Sequence, residues 1–324
     1  MTKAIRVHEC GGPECMVLED VVLPAPGKGE VRVKHRAIGL NFIDVYFRSG
    51  LYKAASMPFT PGNEGAGEVV AVGEGVSGFR KGDRVAYVAP PGSYAEERNV
   101  PAHFLVKLPK DIKYETAAGM MLKGMTAEYL LFRVHKVKKG DVVLVHAAAG
   151  GVGLILCQWA NALGATVIGT VGSAEKAKLA KKNGCHHTIL YRDEDFVARA
   201  KEITKGALCH VVYDGVGKAT FPGSLDCLRP LGMFASFGSA SGQIDAFNIG
   251  ILGPKGSLFV TRPTLFTYIA DRKRLVQMAG RLFKAVQAKQ VKIPVTAKFR
   301  LADVAEAHRA LEGRATTGSV VLIP

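Results

Sequence analysis

Val142-Val-Leu-Val-His146, Ala147-Ala-Ala-Gly-Gly-Val-Gly153 and Leu154–Leu163 follow one another as an apolar strand, a glycine-rich turn and an apolar helix. This order constrains the fold more than any other feature of the 324 residues. It lets a pyrophosphate approach backbone N–H groups at the positive end of a helix. At the G-x-G-x-x-G spacing the residues are Ala148, Gly150 and Gly153, so alanine stands where the first glycine would be. The motif alone is weak. Its place between a strand and a helix, with a second strand at 166–169, gives it weight. Gly150, Gly151, Val152 and Gly153 are therefore the candidate phosphate cradle.

Strand and helix alternate around this turn. β-rich stretches at 142–146, 166–169, 187–190, 207–213, 233–236 and 257–260 are separated by helix-like stretches at 151–163, 173–183, 194–204 and 218–228. Such alternation predicts a doubly wound parallel sheet. The first 120 or so residues differ: short strands at 4–8, 31–38 and 67–73 are punctuated by Pro and Gly clusters. After Arg262 come an amphipathic helix at 267–288 and a last strand, Ser319–Ile323. A tail of about sixty residues is small for a core of its own, so it is expected to complete the first domain. The expected division is residues 1–122 with 263–324, and residues 123–262.

Composition narrows the function class. Hydrophobic residues at 48% and charged residues at 22% exclude a disordered chain. The uncharged run from Val142 to Ala174 is long enough to span a bilayer, but Gln158, Asn161 and its glycines break it into a strand, a turn and a helix, so no membrane span is expected. The opening MTKAIRVHECGG lacks the apolar stretch of a secretory signal. Six cysteines without a Cys-x-x-Cys pair predict a reduced, cytoplasmic chain. Of the formal charge of +15, residues 1–122 contribute little, with 15 Lys and Arg against 14 Asp and Glu. Residues 123–262 carry 17 against 10, and residues 263–324 carry 11 against 4. A basic surface attracts nucleic acids and anionic nucleotides alike, so charge does not choose between them.

The second strand of the nucleotide-binding pattern does choose a cofactor. An NAD site places Asp or Glu at its end, accepting from the ribose hydroxyls. Val167-Ile-Gly-Thr-Val-Gly-Ser173 carries no acid; Ser173 and Lys176 follow, with Tyr191-Arg192 after the third strand. A hydroxyl and an ammonium bind a 2′-phosphate that a carboxylate would repel, so NADPH is the expected cofactor.

Asn41-Phe-Ile-Asp44 with Arg48-Ser-Gly-Leu-Tyr52, Pro61-Gly-Asn-Glu-Gly-Ala-Gly67, His146–Gly153, Val212-Tyr-Asp-Gly-Val-Gly217, Ser236-Phe-Gly238 and Arg314-Ala-Thr-Thr-Gly-Ser319 occur in this order along the chain. Together they resemble the zinc-free, ζ-crystallin-like quinone oxidoreductases of the medium-chain dehydrogenase/reductase superfamily, over essentially the whole length. The resemblance implies an α/β protein, with a GroES-like β-rich catalytic domain beside a Rossmann doubly wound parallel-sheet domain that binds NADP. It implies a nicotinamide end near Phe42, Ile43, Tyr46 and Thr126. The adenine ribose phosphate is then expected near Ser173, Lys176 and Tyr191, while Val216, Phe237, Gly238, Ser241 and Arg314 line or close over the cofactor. Asn41, Tyr46, Tyr52 and Lys123 are the candidates for the acceptor pocket. Asn41 and Asn63 stand where the zinc enzymes of the superfamily have Cys and His, and neither is a good zinc ligand. No Cys lies between Met16 and Leu156 to build the structural zinc lobe, so no metal site is expected. Glu64 is read as structural, and His146, at the end of a buried strand, as a core histidine.

Without a Lewis acid to polarise a simple carbonyl, the expected acceptor already takes hydride readily: a quinone. The nearest alternative is reduction of an α,β-unsaturated carbonyl. An alternative of another class is a nucleic-acid-binding protein that keeps an NADPH site, prompted by the Arg272-Lys-Arg274 cluster; no aromatic residues interleave with it to offer a stacking platform. A homodimer is expected by analogy, through the apolar stretches 247–252 and 258–261.

Overall fold

The computed structural model describes all 324 residues, which divide into two compact units. Residues 1–123, 271–287 and 293–324 form the first; residues 124–270 with 288–292 form the second.

The first unit begins with β1 (Thr2–Val7), β2 (Met16–Val21), β3 (Glu30–Leu40), α1 (Phe42–Arg48), β4 (Glu64–Val72), β5 (Arg84–Val88), β6 (Glu97–Pro101), β7 (Leu105–Lys107) and α2 (Tyr114–Ala118). The helix α3 (Met121–Tyr129) leads into the second unit, which holds β8 (Val142–Val145), α4 (Gly151–Ala162), β9 (Thr166–Val171), α5 (Ala174–Lys182), β10 (His187–Leu190), α6 (Phe196–Ile203), β11 (Cys209–Asp214), α7 (Gly223–Asp226), β12 (Leu228–Ser236), β13 (Phe259–Thr261) and α8 (Leu265–Ile269). The chain then returns to the first unit as α9 (Arg272–Gln287), β14 (Val295–Arg300), α10 (Val304–Glu312) and β15 (Ser319–Ile323).

The main sheet of the first unit runs β14-β15-β3-β4-β5-β7, and β3 organises it. Its first half alternates: Val31, Val33 and His35 are buried, whereas Lys34 and Arg36 are exposed. That is the period-two pattern of a strand with one wet face. From Ala37 to Leu40 every residue is buried, because this end is covered on both faces. One edge of β3 is shared in register: Glu30–Lys34 pair with β6, and Ile38–Leu40 with β15. The buried end of β3 therefore delivers Asn41 and α1 into the interior, beside a core that includes Ile5, Val7, Leu40, Tyr94, Val304 and Val320.

The second unit carries the expected doubly wound sheet, order β10-β9-β8-β11-β12-β13, all parallel. Chain order reverses between β8 and β11, and in such sheets ligands bind at the carboxyl ends of the strands flanking that point. Leu144, Ile168, Val212 and Phe234 fill its core.

Three local expectations change. The helix expected at 218–228 is only the single turn α7, because the preceding residues fold onto Asp214 instead. The helix expected at 267–288 is two: the chain breaks after Ile269, and Asp271 Oδ1 accepts from the Arg274 N–H at 2.8 Å, starting α9 afresh. The second crossing between units comes at 270/271 rather than at 262/263, since α8 stays with the second unit, where Tyr268 stacks flat on Tyr129 with ring centroids 4.5 Å apart.

Candidate active site

In the second unit the turn after β8 is built from backbone. Ala147 takes a left-handed φ of 52°, and its carbonyl accepts from the Gly150 N–H at 2.9 Å. α4 then starts at Gly151 with Gly150 as its extended cap residue, so its first N–H groups carry no intrahelical partner. A Cβ on Gly153 would lie 2.3 Å from Ala147 O and 2.8 Å from Ala148 Cα, so only glycine fits there. Ala148 occupies the first glycine's place because the neighbouring strand makes room: a Cβ on Gly169 of β9 would meet the Ala148 methyl at 2.6 Å. The geometry fits a pyrophosphate held by main-chain N–H groups.

β9 itself ends without a carboxylate, and the first acid after it is Glu175 in the first turn of α5. Ser173 caps α5, its Oγ accepting from the Lys176 N–H at 3.3 Å while its hydroxyl donates to the Glu175 carboxylate. Tyr191, exposed after β10, brings its hydroxyl over Gly172, where a Cβ would lie 2.7 Å away. Ser173, Lys176 and Tyr191 thus gather around the ends of β9 and β10.

The sequence reading of the next turn missed its organiser. Asp214, wholly buried at the end of β11, accepts from the N–H groups of Val216 (2.7 Å) and Gly217 (3.0 Å) and from the Thr220 hydroxyl (2.6 Å). An acid followed by Gly-Val-Gly was the signal for this turn. The Ser241 hydroxyl donates to Val216 O (2.8 Å) and accepts from the Ala219 N–H (3.0 Å), so it holds the 216–219 loop. Phe237 follows β12 with its ring against Gly215, and a Cβ on Gly238 would lie 2.6 Å from Gly215 O. His146 is a core histidine: Nδ1 bonds Thr170 Oγ1 at 2.9 Å and Nε2 bonds Ser224 Oγ at 3.0 Å. Thr126 is buried in the same unit.

The first unit builds its polar cluster from side chains. Glu64, fully buried at the start of β4, accepts from Asn41 Nδ2 (2.7 Å), the Leu122 N–H (2.6 Å) and Lys123 Nζ (3.2 Å). Lys123, 6% exposed, also donates to Leu40 O at 3.0 Å, which leaves one of its three N–H donors. Asn41 and Lys123, both singled out from the sequence, therefore meet on a carboxylate that the sequence reading had left as structural.

A second buried chain of bonds adjoins it. Asp44 Oδ2 accepts from the Asn41 N–H (2.8 Å) and the Tyr94 hydroxyl (2.9 Å). The Tyr94 oxygen meets His308 Nε2 at 3.1 Å, and Arg48 donates to His308 Nδ1 at 3.4 Å. Since Arg48 can only donate, Nε2 carries the imidazole proton. Arg48 also clamps Glu312 through two bonds of 2.8 and 2.9 Å. Burial pushes the Asp44 carboxyl up to about 7, against its bonds from Tyr94 and Asn41. Burial, reinforced by Arg48, pulls His308 down to about 3. α1 is pinned at both ends by these bonds, and it carries Phe42, Ile43 and Tyr46. Tyr52 packs edge-on against Tyr46 (5.2 Å) and Phe47 (5.7 Å). Arg314 is exposed just after α10, with a left-handed φ of 57°.

Residues 27–110 match the model of the alcohol dehydrogenase GroES-like domain, and residues 151–280 that of the zinc-binding dehydrogenases. The quinone oxidoreductase of Pseudomonas aeruginosa is 50% identical, with both chains covered in full. The chain belongs to the quinone oxidoreductase family, within the medium-chain dehydrogenase/reductase superfamily. A crystal structure of the Escherichia coli quinone oxidoreductase complexed with NADPH is 47% identical, covering 99% of this chain and 100% of that one, with a TM-score of 0.98. A 2-haloacrylate reductase from a Burkholderia species is 48% identical over 100% of this chain and 99% of its own.

The residues do not fit the zinc ion named by the second domain model. Asn41 and Asn63 are amides; Asn41 Nδ2 donates to Glu64, and Asn63 Nδ2 donates to Ala89 O at 3.0 Å. The Lys123 ammonium already holds the cation's place beside Glu64. No helix is long and apolar enough to cross a membrane.

Proposed function

We propose that this member of the quinone oxidoreductase family is an NADPH:quinone reductase, with the second unit as its NADP-binding domain and the first as its catalytic domain. The observation that carries the reading is the buried Glu64 cluster, which gathers an amide and an ammonium where the zinc enzymes of the superfamily need metal ligands. The NADPH-bound E. coli relative and the Pseudomonas relative, both quinone oxidoreductases, support it.

Gly150–Gly153 would hold the pyrophosphate on main-chain N–H groups, and Ser173, Lys176 and Tyr191 the 2′-phosphate. The Asp214 turn with Val216, Phe237, Gly238 and Ser241 would shape the rest of the cofactor site, with Arg314 closing it. Phe42, Ile43, Tyr46 and Thr126 would set the nicotinamide end. Bound NADPH supplies the hydride. Two-electron reduction of a quinone leaves a negative charge on its oxygen, and a fixed hydrogen-bond donor there lowers the barrier. The remaining Lys123 N–H, backed by Asn41, supplies such a donor, and the aromatic faces of Tyr46 and Tyr52 suit a flat ring. One further proton, from Lys123 or water, completes the hydroquinone.

The Burkholderia relative, a 2-haloacrylate reductase, supports a second reading: reduction of an activated carbon–carbon double bond. Initial rates of NADPH oxidation with a para-quinone, beside NADH and beside an enone, separate the two. A quinone-dependent rate with strong NADPH preference is expected. Turnover of the enone alone would move the function to a double-bond reductase. The edge strand β13, with Phe259 and Val260 exposed beside Ile249, supports a homodimer, checked by sedimentation. Six unpaired cysteines support a cytoplasmic setting. Arg272 donates to His103 O at 2.8 Å, which gives part of the basic cluster a structural use and favours the enzyme over a nucleic-acid-binding role.

A further inference from the structure

We propose that Glu64 is a positioning residue that fixes the amide of Asn41 in one orientation and aims the free N–H of Lys123, a role that rests on reading those two as the groups facing the acceptor. The carboxylate is buried and accepts three bonds from two parts of the chain: the residue after β3, and the backbone and a side chain of α3. Its seat is cut to shape. A Cβ on Gly39 would lie 2.2 Å from Glu64 Oε1 and 2.2 Å from Ala118 O, so β3 approaches at a distance only glycine allows.

The two ends of an asparagine amide are nearly the same size and differ in donor and acceptor character. The capping box at the start of α1 turns Asn41 Oδ1 toward the Asp44 N–H, and Glu64 takes the opposite end, Nδ2, so the two select the same orientation. As an anion Glu64 accepts from Nδ2 and would repel Oδ1, so it opposes the flipped amide. Lys123 faces the same selection. Its other acceptor, Leu40 O, is neutral, so Glu64 supplies the opposing charge and directs two of the three ammonium protons inward. Leu122 N–H on the second carboxylate oxygen stops the group from rotating.

The test is a kinetic cycle on the full-length protein with NADPH and a para-quinone. Glu64→Gln turns one acceptor oxygen into a donor, so kcat is expected to fall at least tenfold while the KM for NADPH stays within twofold. Because Glu64 acts through its partners, the double variant Glu64→Gln/Lys123→Gln should have a kcat within about twofold of Lys123→Gln alone. An unchanged kcat in Glu64→Gln, or losses that simply multiply in the double variant, would overturn the proposal. Glu64→Asp keeps the charge and shortens its reach. It is expected to lower kcat severalfold with the NADPH KM retained, and it carries the test if the Gln variant does not fold; a parental kcat here also counts against the role. Should Asn41→Ala and Lys123→Gln both retain the parental kcat, the reading of the acceptor groups falls, and this inference with it. If those two lose activity and neither Glu64 variant does, the inference alone falls.

Discussion

The two candidate clusters, one in each unit, are made of different material. Around Gly150–Gly153 the working groups are main-chain N–H donors, and the sequence contributes mainly by leaving side chains out. Around Asn41, Glu64 and Lys123 the working groups are side chains, each held by another side chain far away in sequence. A backbone-built site is damaged by adding an atom. A side-chain-built site is damaged by taking atoms away. One substitution, to alanine, should therefore injure both for opposite reasons.

Arg48→Ala gives the larger effect. It removes both bonds to Glu312 and the bond to His308 Nδ1 from a side chain that is 3% exposed. Glu312 keeps contact with water, so the loss is that of the charge-assisted bonds of a buried guanidinium, about 3 kcal/mol, readable in urea unfolding. A loss under about 1 kcal/mol, the level of a surface pair, would mean that α1 is held by its aromatic contacts rather than by this clamp. Gly153→Ala comes next: a Cβ 2.3 Å from Ala147 O must push the turn open. NADPH affinity should fall about a hundredfold, or about 2.8 kcal/mol, in a protein that stays folded with about 1–3 kcal/mol of stability lost to the overpacked turn. Unimpaired binding in a titration of NADPH fluorescence would show that the phosphates do not rest on this turn.

The third prediction uses pH to sharpen the contrast, since the side-chain network holds Asp44 and His308, two buried ionisable groups bridged by Tyr94. The Asp44 carboxyl is raised to about 7 in the fold from an ordinary 3.8. Its stabilising contribution is therefore full below pH 3.8 and is lost as pH rises through 7. His308, lowered from 6.5 to about 3, works in the opposite direction: its contribution is present above 6.5 and lost as pH falls toward 3. In the parent protein the two slopes offset each other through the mildly acidic range. Asp44→Asn removes one of them, so the variant's stability relative to the parent should improve by about 2–3 kcal/mol between pH 5 and pH 8. Parallel pH profiles in urea unfolding would show that Asp44 is already ionised across that range.

The same division explains what could be read from sequence. A glycine turn is a local pattern, so its strand, turn and helix, and the parallel alternation around it, stand in the linear order of residues. His146 was legible for a related reason, as a polar residue closing a buried apolar strand. The bonds to Glu64 cross 23, 58 and 59 residues, and Arg48 meets Glu312 across 264. No local period records such pairs. Resemblance brought Asn41 and Lys123 forward as candidates, but not the carboxylate on which they meet. The break before α9 was a smaller miss with a visible cue: Asp271 is a good N-cap residue, and an amphipathic pattern running through it conceals the cap.

Lys176 gives the smallest effect and the sharpest distinction, because there side chains extend a cluster that begins in backbone. It lies in the first turn of α5, its N–H bonded to Ser173 Oγ, so alanine keeps the helix and its cap. Only the ammonium is lost. A partly exposed charge facing a phosphate is screened by water and salt, and about tenfold in the KM for NADPH, or about 1.4 kcal/mol, is expected. NADH lacks the 2′-phosphate, so its KM should stay within about twofold. Salt should reproduce part of the effect, raising the NADPH KM of the parent more than that of Lys176→Ala. Equal changes for the two cofactors would mean that the lysine acts on the pyrophosphate or on α5 itself, and the preference for NADPH would then fall to Ser173 and Tyr191.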